Sequence, residues 1–249
     1  MRTSGGEEME KAIEITNLSK LYENGRGIED INLDIYKGDI FGFLGPNGAG
    51  KTTAMKVMTG LIRPDRGDIR IMGHSITEDY EKAMAEVGCL IEIAQSYPFL
   101  TAFENLKQLS RYYPNVDQKR IDEVLELTGM LKYKQEKPKK FSLGMKQRLG
   151  LAAAILSRPK ILILDEPLNG LDVEGMIDIR NLIKHLAENE GTTFLISSHL
   201  IHDVELTCTR IGVIYNGKML NVDSTQNILN SYASLENYFV SEVERNGHV

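Results

Sequence analysis

Apolar residues along this chain recur with two periods, one typical of strands and one typical of helices. Short apolar or alternating runs predict strands at 12–18, 28–36, 40–44, 69–72, 87–91, 161–164, 193–197, 211–215 and 218–221. Longer segments with apolar residues three or four positions apart predict helices, and one of them carries Met145, Leu149, Ala152 and Leu156 on a single face. Strands that alternate with helices indicate an α/β fold around a mostly parallel sheet.

The same pattern divides the chain into regions. Residues 12–225 are predicted to form one domain. The stretch at about 92–158 has no strand candidate, so it is predicted to be a helical subdomain inserted into the sheet. Residues 1–11 carry no apolar pattern and are predicted to be a flexible leader, and residues 226–249 are predicted to form a C-terminal helical tail.

Composition places the chain among ordinary globular proteins. Its 249 residues, 42 % of them hydrophobic and 26 % charged, are enough for one large domain with a substantial core. The formal net charge of −6 argues against nucleic acid as a partner, because binding phosphate backbones favours a basic surface. No apolar run reaches the roughly 18–20 residues that span a bilayer, so we expect a cytoplasmic protein whose membrane role comes through a partner.

A glycine-rich segment after the predicted strand 40–44 fits the phosphate-binding pattern G-x-x-x-x-G-K-[ST]. Its glycines let backbone N–H groups surround phosphate oxygens, and the N-terminus of the following helix adds a partial positive charge. Lys51 would reach the β- and γ-phosphates, and the Thr52 hydroxyl would bind Mg²⁺. The candidate nucleotide-binding residues of this segment are Gly45, Pro46, Asn47, Gly48, Ala49, Gly50, Lys51, Thr52 and Thr53.

Two further predicted strands end in residues suited to nucleotide hydrolysis. Asp165 and Glu166 follow the apolar strand at 161–164, and we assign Asp165 to Mg²⁺ and Glu166 to the water that attacks the γ-phosphate. A simple helix cap or charged turn at this point is the alternative. His199 follows the next strand, at the same carboxyl edge of the sheet, where it can bond to the γ-phosphate.

Four segments, in this order, resemble the ATP-binding subunit of ATP-binding cassette (ABC) transporters. They are the phosphate loop GPNGAGKTT (45–53), the signature-like FSLGMKQRLGLA (141–152), ILILDEPLNGLD (161–172) with its D-loop Gly170-Leu171-Asp172, and the switch-histidine segment SSHL (197–200). The resemblance implies an ATPase that uses ATP and Mg²⁺, with a P-loop NTPase (RecA-like) core, an antiparallel β subdomain and an inserted α-helical subdomain. It also implies that Tyr22 stacks on the adenine.

The resemblance further implies a head-to-tail homodimer with two ATP molecules between the subunits. Each ATP would touch the phosphate loop of one subunit and Ser142 and Gly144 of the other. Those two residues lie at the start of a predicted helix, where backbone N–H groups and the helix dipole favour an anion. The other implied partner is an integral membrane permease, which would hold the subunit on the inner face of the cell membrane.

Two positions depart from the family pattern. Leu143 stands where the family signature has its first glycine, which puts that glycine's contact with ATP in question. Glu92 stands where the family has a glutamine whose side-chain oxygen binds Mg²⁺, and a glutamate supplies an oxygen together with a negative charge. The surrounding VGCLIEIAQSYPFLT (87–101) resembles the branch that exports bacitracin and lantibiotic-type peptides. A neutral substitution in some other exporter is the alternative.

The expected function is therefore an ATPase subunit that drives a separate permease and exports a peptide antibiotic, in immunity or resistance. A soluble ABC ATPase acting on ribosomes or nucleic acid is the alternative from another class, and the single cassette and the net charge of −6 disfavour it. A P-loop GTPase is disfavoured because the chain has no Asn-Lys-x-Asp segment to read guanine. The sequence does not identify the transported substrate.

Overall fold

The computed structural model describes residues 9–92 and 95–246. Its strands are β1 (Lys11–Leu21), β2 (Gly27–Tyr36), β3 (Ile40–Leu44), β4 (Arg66–Ile71), β5 (His74–Ser75), β6 (Val87–Leu90), β7 (Ile161–Asp165), β8 (Thr193–Ser198), β9 (Arg210–Tyr215) and β10 (Lys218–Ser224). Its α-helices are α1 (Lys51–Met58), α2 (Tyr80–Met84), α3 (Ala102–Ser110), α4 (Gln118–Leu127), α5 (Leu143–Ala154), α6 (Val173–Glu190), α7 (Ile201–Thr207), α8 (Thr225–Ser231) and α9 (Leu235–Asn246). Most of the predicted leader, residues 1–8, lies outside the described residues, and Lys11 already belongs to β1.

The strands form two sheets with different pairing. A six-stranded sheet has the order β10-β9-β3-β8-β7-β6, and every neighbouring pair in it is parallel except β9 and β10. A four-stranded antiparallel sheet has the order β2-β1-β4-β5. Because the parallel strands run the same way, the loops after β3, β7 and β8 leave the large sheet at one edge.

The central strands of the parallel sheet are buried on both faces. On β3, Phe41 and Phe43 pack into a core shared with α1 and the antiparallel sheet. Ile40 and Leu44, which point to the other face, belong to a second core shared with the helices of the insert and with α6. Because both of its faces are buried, β3 does not alternate between apolar and polar residues. All of its residues are apolar apart from one glycine.

Between β6 and β7 the described residues form α3, α4, α5 and two short 3₁₀ turns, within the segment for which the sequence predicts a helical insert. Thr101 begins α3 with a capping box, and Ser142 caps α5. The buried Arg120 of α4 donates from Nε to the Leu156 carbonyl at 3.1 Å and from Nη2 to the Ile155 carbonyl at 2.5 Å. A cation thus satisfies the carbonyls at the end of α5 and fixes that helix against α4.

Three short elements and one strand boundary differ from the sequence predictions. The sequence analysis does not predict β5, α2 or α7, which span 2, 5 and 7 residues and are too short to show a period. It begins a strand at residue 69, whereas β4 begins at Arg66, which pairs with Ser19 of β1. Gly67, a residue type that is common in turns, has φ of 84° and here lies inside the strand, where the pairing of β4 with β1 is irregular.

Candidate active site

The phosphate loop joins β3 to α1 and needs glycine at both of its ends. Gly50, directly before α1, has φ of 109°, and a Cβ there would lie 2.7 Å from Ile28 Cγ2. A Cβ on Gly45 would lie 2.3 Å from the Ile214 carbonyl oxygen. The loop is therefore seated against β2 and β9, and the first N–H groups of α1 are free to face a phosphate.

Lys51 is buried within this loop, with 5 % of its surface exposed. Its ammonium donates to the Gly45 carbonyl at 2.7 Å and to the Pro46 carbonyl at 3.2 Å, and it lies 3.8 Å from Glu166 Oε1. Burial lowers the pKa of Lys51, while the nearby Glu166 and Asp165 carboxylates oppose that change. The loop's own carbonyls thus hold a cation at the place where phosphate oxygens would bind.

Asp165, the last residue of β7, is bonded through both of its carboxylate oxygens. Oδ2 accepts from Thr52 Oγ1 at 2.8 Å, and Oδ1 accepts from Ser197 Oγ of β8. Thr52 and Asp165 are hard oxygen donors, and Mg²⁺ in nucleotide enzymes takes one or two such protein ligands and completes its shell with phosphates and water. The pair therefore fits Mg²⁺, although no group of three or more His, Cys, Asp or Glu side chains in the described residues could hold a metal alone.

Glu166 and His199 meet at the same edge of the sheet. His199 Nδ1 lies 2.8 Å from Glu166 Oε1, because β7 and β8 pair in register at Asp165 and Ser197. Glu166 has φ of 49°, an unusual conformation for a residue other than glycine. Its N–H donates to Ser197 Oγ at 3.0 Å, which holds this backbone in place. The carboxylate is thereby fixed between a lysine and a histidine.

Gln147 also contacts Glu166, and the sequence analysis gives it no role. This residue of α5 is 7 % exposed, and its Nε2 donates to the Glu166 carbonyl at 3.3 Å. Gln147 lies five positions after Ser142, so it connects the signature helix with the loop that carries Glu166. The sequence pattern does not distinguish Gln147, because this residue stands between Lys146 and Arg148 in a polar stretch of the helix.

A cavity of about 370 Å³ opens over the phosphate loop. It is lined by Tyr22, Asn24, Arg26, Gly27, Asn47, Gly48, Ala49, Gly50, Lys51, Thr52, Thr53 and Glu166. Tyr22 is 41 % exposed at this cavity, where a flat ring is available for stacking. Asn24 and Arg26 also line this cavity, although the sequence prediction gives neither residue a role.

Glu92 does not bond to Thr52 or Asp165. Its carboxylate pairs with Lys56 of α1, with 2.5 Å between Lys56 Nζ and Glu92 Oε1. Glu92 has φ of 61° and lies two residues after the end of β6. The structure therefore brings this predicted metal ligand to the side of α1, next to the residues that fit Mg²⁺, in contact with a lysine that the sequence analysis does not name.

Ser142 and Gly144 lie away from the phosphate loop of their own subunit. Ser142 is exposed, and its hydroxyl accepts from the Met145 N–H at 3.2 Å. A Cβ on Gly144 would lie 2.8 Å from the Gly170 carbonyl, so this glycine lets α5 pack on the D-loop. Leu143, half exposed, packs on Gly170 as well. Ser142, Gly144 and Gly170 border a separate groove of about 510 Å³, which shares no lining residue with the cavity over the phosphate loop.

No helix among the described residues is both long and apolar enough to cross a membrane.

Comparison with known proteins agrees with this geometry. The family model described as ABC transporter matches residues 28–169. The chain is 43 % identical to an uncharacterized ABC transporter ATP-binding protein, YhcH of Bacillus subtilis, over 88 % of this chain and 72 % of that protein. It is 41 % identical to the bacitracin transport ATP-binding protein BcrA of Bacillus licheniformis, over 85 % and 69 % of the two chains. It is 37 % identical to the lantibiotic transport ATP-binding protein SrtF of Streptococcus pyogenes, over 87 % and 93 %.

Solved structures show the same fold. An ATP-binding subunit of an ABC transporter superposes with a TM-score of 0.84 and 26 % identity, covering 93 % of this chain and 99 % of that one. A dimeric post-hydrolysis state of the cassette MJ0796 bound to ADP and Pi gives a TM-score of 0.78 and 25 % identity, covering 86 % and 98 %. These matches confirm the predicted P-loop NTPase core and the use of ATP and Mg²⁺, and they support a dimer. The chain belongs to the ABC transporter family, as an ATP-binding subunit that hydrolyses ATP.

Proposed function

We propose that this chain is the ATPase of an exporter that removes peptide antibiotics of the bacitracin or lantibiotic type and thereby gives immunity or resistance. The observation that carries the proposal is its similarity, at 41 % and 37 % identity, to ATP-binding proteins of bacitracin and lantibiotic transport. Glu92, at the position where the family usually has glutamine, is the feature of this chain that supports the same branch.

In this proposal each polar side chain of the site has one task. Lys51 binds the β- and γ-phosphates, and Thr52 and Asp165 hold Mg²⁺, which when bound offsets the phosphate charge. Glu166 accepts the proton of the attacking water. His199, 2.8 Å from Glu166 Oε1, orients that carboxylate and donates to the γ-phosphate once nucleotide is present.

We propose a head-to-tail dimer as the hydrolytic form. Ser142 and Gly144 lie outside the cavity over their own phosphate loop, and the backbone N–H groups at the start of α5 suit a phosphate brought by a second subunit. A Cβ at Gly144 would collide with Gly170, so we assign Gly144 to helix packing as well as to phosphate contact.

The proposed membrane partner is a permease that docks near the loop after Glu92. Tyr97 and Phe99 are 58 % and 64 % exposed, and their ring centroids lie 5.7 Å apart. The Asn105 side chain accepts from the Tyr97 N–H at 2.8 Å and donates to the Tyr97 carbonyl at 3.2 Å, so the aromatic pair sits on a fixed loop. Exposed aromatic residues on a rigid support are typical of protein interfaces. Through this contact the subunit would lie on the inner face of the cell membrane.

Resistance to a different antibiotic class is the second candidate function. It is favoured by 36 % identity to the linearmycin resistance ATP-binding protein LnrL of Bacillus subtilis, over 84 % of this chain and 68 % of that one. The ATPase site is the same in both cases, so only the transported compound differs.

The test is a resistance assay in a sensitive bacterial host that expresses the chain with the permease found beside its gene. We expect a higher inhibitory concentration of bacitracin or of a lantibiotic, lost in a Glu166→Gln variant made at the same level. Protection against linearmycin alone would favour the second candidate. Association of the purified protein with ribosomes in place of the permease would reject both.

A further inference from the structure

Lys56 places an ammonium group beside the residues that fit Mg²⁺. Lys56 follows Thr52 by four positions in α1, so the two side chains lie on the same face of the helix. Thr52 Oγ1 donates to Asp165 Oδ2 at 2.8 Å, and Lys56 Nζ lies 2.5 Å from Glu92 Oε1. Glu92 is therefore paired with a lysine that lies one helical turn after Thr52, one of the candidate metal ligands.

More than one carboxylate raises the pKa of Lys56. The hydrogen bond to Glu92 is the largest cause that raises the pKa of Lys56, and the charge of Asp165 contributes in the same direction. Lys56 thus carries its positive charge in the field of both the metal-binding carboxylate and Glu92.

The ion pair between Lys56 and Glu92 is exposed enough for the Glu92 carboxylate to exchange the lysine for another cation. Glu92 is 62 % exposed and Lys56 is 28 % exposed, and exposed ion pairs are weak because water screens them. The backbone at Glu92, with φ of 61°, turns the chain directly after β6 towards α1. The carboxylate is accordingly kept near α1 but is not locked into the protein interior.

We propose that Lys56 is a positioning residue that keeps the Glu92 carboxylate in an ion pair and so competes for it with a divalent cation bound by Thr52 and Asp165. A carboxylate binds either an ammonium or Mg²⁺ strongly, whereas a neutral glutamine gains little from an ammonium. The competition is therefore specific to a chain that has glutamate at position 92. Removing the Lys56 charge frees the carboxylate and strengthens metal binding, and the effect depends on the presence of Glu92.

The experiment measures Mn²⁺ binding to the complex of the purified protein with AMP-PNP, by the electron paramagnetic resonance signal of the free ion. This readout requires no hydrolysis. We compare the unmodified protein with Lys56→Met, Lys56→Arg, Glu92→Gln and the double variant Lys56→Met/Glu92→Gln. Lys56→Met should lower the Kd for Mn²⁺ about two- to five-fold, the range that one exposed ion pair gives. Lys56→Arg should retain the original Kd, because it keeps the charge.

The double variant separates competition from a general loss of positive charge. If Lys56→Met lowers the Kd by the same factor in the unmodified protein and in the Glu92→Gln background, the effect is long-range electrostatics and the proposal is wrong. An unchanged or higher Kd in Lys56→Met also overturns it. Lys107→Met, in α3, controls for the loss of one lysine, and thermal unfolding checks that each variant is folded.

AMP-PNP binding without metal shows separately whether the nucleotide site is intact. Because the isolated subunit is used, the result does not depend on what the transporter carries, so this proposal and antibiotic export can fail independently.

Discussion

The two halves of the proposed nucleotide site differ in how far one subunit completes them. In the phosphate-loop half, formed by the phosphate loop with Asp165, Glu166 and His199, the polar side chains are already bonded within the subunit. Lys51 bonds to loop carbonyls, Asp165 to Thr52, and Glu166 to His199. In the signature half, Ser142 is exposed beside an open groove of about 510 Å³.

The difference indicates what a mutation does in each half. The phosphate-loop half is preorganised for chemistry, so a change there should remove catalysis directly. The signature half presents the N-terminus of α5 at an open groove. A change there should therefore weaken only the binding of a second molecule that docks on it. Four variants test this comparison, beginning with the largest expected effect.

Lys51→Ala should abolish measurable ATP hydrolysis, a loss of roughly a hundredfold or more, because the buried ammonium is the group proposed to bind the β- and γ-phosphates. The measurement is phosphate release at saturating ATP and Mg²⁺. Lys107→Ala, at the surface of α3, is the control and should keep full activity. Turnover at the unmodified rate in Lys51→Ala would show that the phosphate loop is not the hydrolytic site.

Glu166→Gln should reduce kcat by roughly 10²–10³, since the amide cannot accept the proton of the attacking water. ATP binding should persist, because Lys51 and Thr52 are unchanged. With ATP and Mg²⁺ the variant should accumulate as a dimer, detected by light scattering after size-exclusion chromatography. A variant that binds ATP and stays monomeric would contradict the head-to-tail arrangement, although not the assignment of Glu166.

Ser142→Ala tests the signature half, and the chain offers a matched control. Ser142 caps α5 and Thr101 caps α3, so either alanine variant should lose about 1 kcal/mol of unfolding free energy. Only Ser142→Ala should also reduce hydrolysis, about tenfold, through a lost hydrogen bond to a charged phosphate. Denaturant unfolding and ATPase assays measure the two effects.

Equal losses of activity in Ser142→Ala and Thr101→Ala would mean that helix stability alone explains the result. The signature half would then have no role in binding a second subunit's nucleotide.

How much of this site can be predicted from sequence depends on how local each relation is. The phosphate loop and the pair at 165–166 are predictable, because a strand, a turn and a helix lie next to one another in the chain. The ion pair between Lys56 and Glu92 is not, because 36 positions separate the residues and only the tertiary fold brings them together.

The short helix α7 shows that local sequence also limits how much of the fold can be predicted. Its 7 residues carry no measurable period, yet Val204 packs so closely on β3 that a Cβ at Gly42 would lie 2.7 Å from Val204 Cγ1. Tertiary packing, not local pattern, determines this helix. Asn24 and Arg26 are missed for a related reason, since the β1–β2 turn reaches the phosphate loop only through the assembled sheets.

Substitution of Gln147 should have the smallest effect of the four variants. This residue connects the signature half with the phosphate-loop half within one subunit. Gln147→Met keeps the size of the buried side chain but removes one of the two donors to the Glu166 carbonyl, which keeps only the Asn169 N–H at 3.1 Å, a loss of about 1 kcal/mol. If that bond fixes the unusual backbone of Glu166, kcat should fall about fivefold while KM for ATP stays the same.

Lys146→Ala, one position earlier in α5, is the control for a general disturbance of the helix. A rise in KM with unchanged kcat in Gln147→Met would mean that the glutamine supports nucleotide binding and does not position Glu166. An equal fall of kcat in both variants would mean that the helix as a whole is responsible. A loss of kcat confined to Gln147→Met would instead show that the signature helix positions Glu166 of its own subunit, whereas in the proposed head-to-tail dimer its N-terminus serves the other subunit.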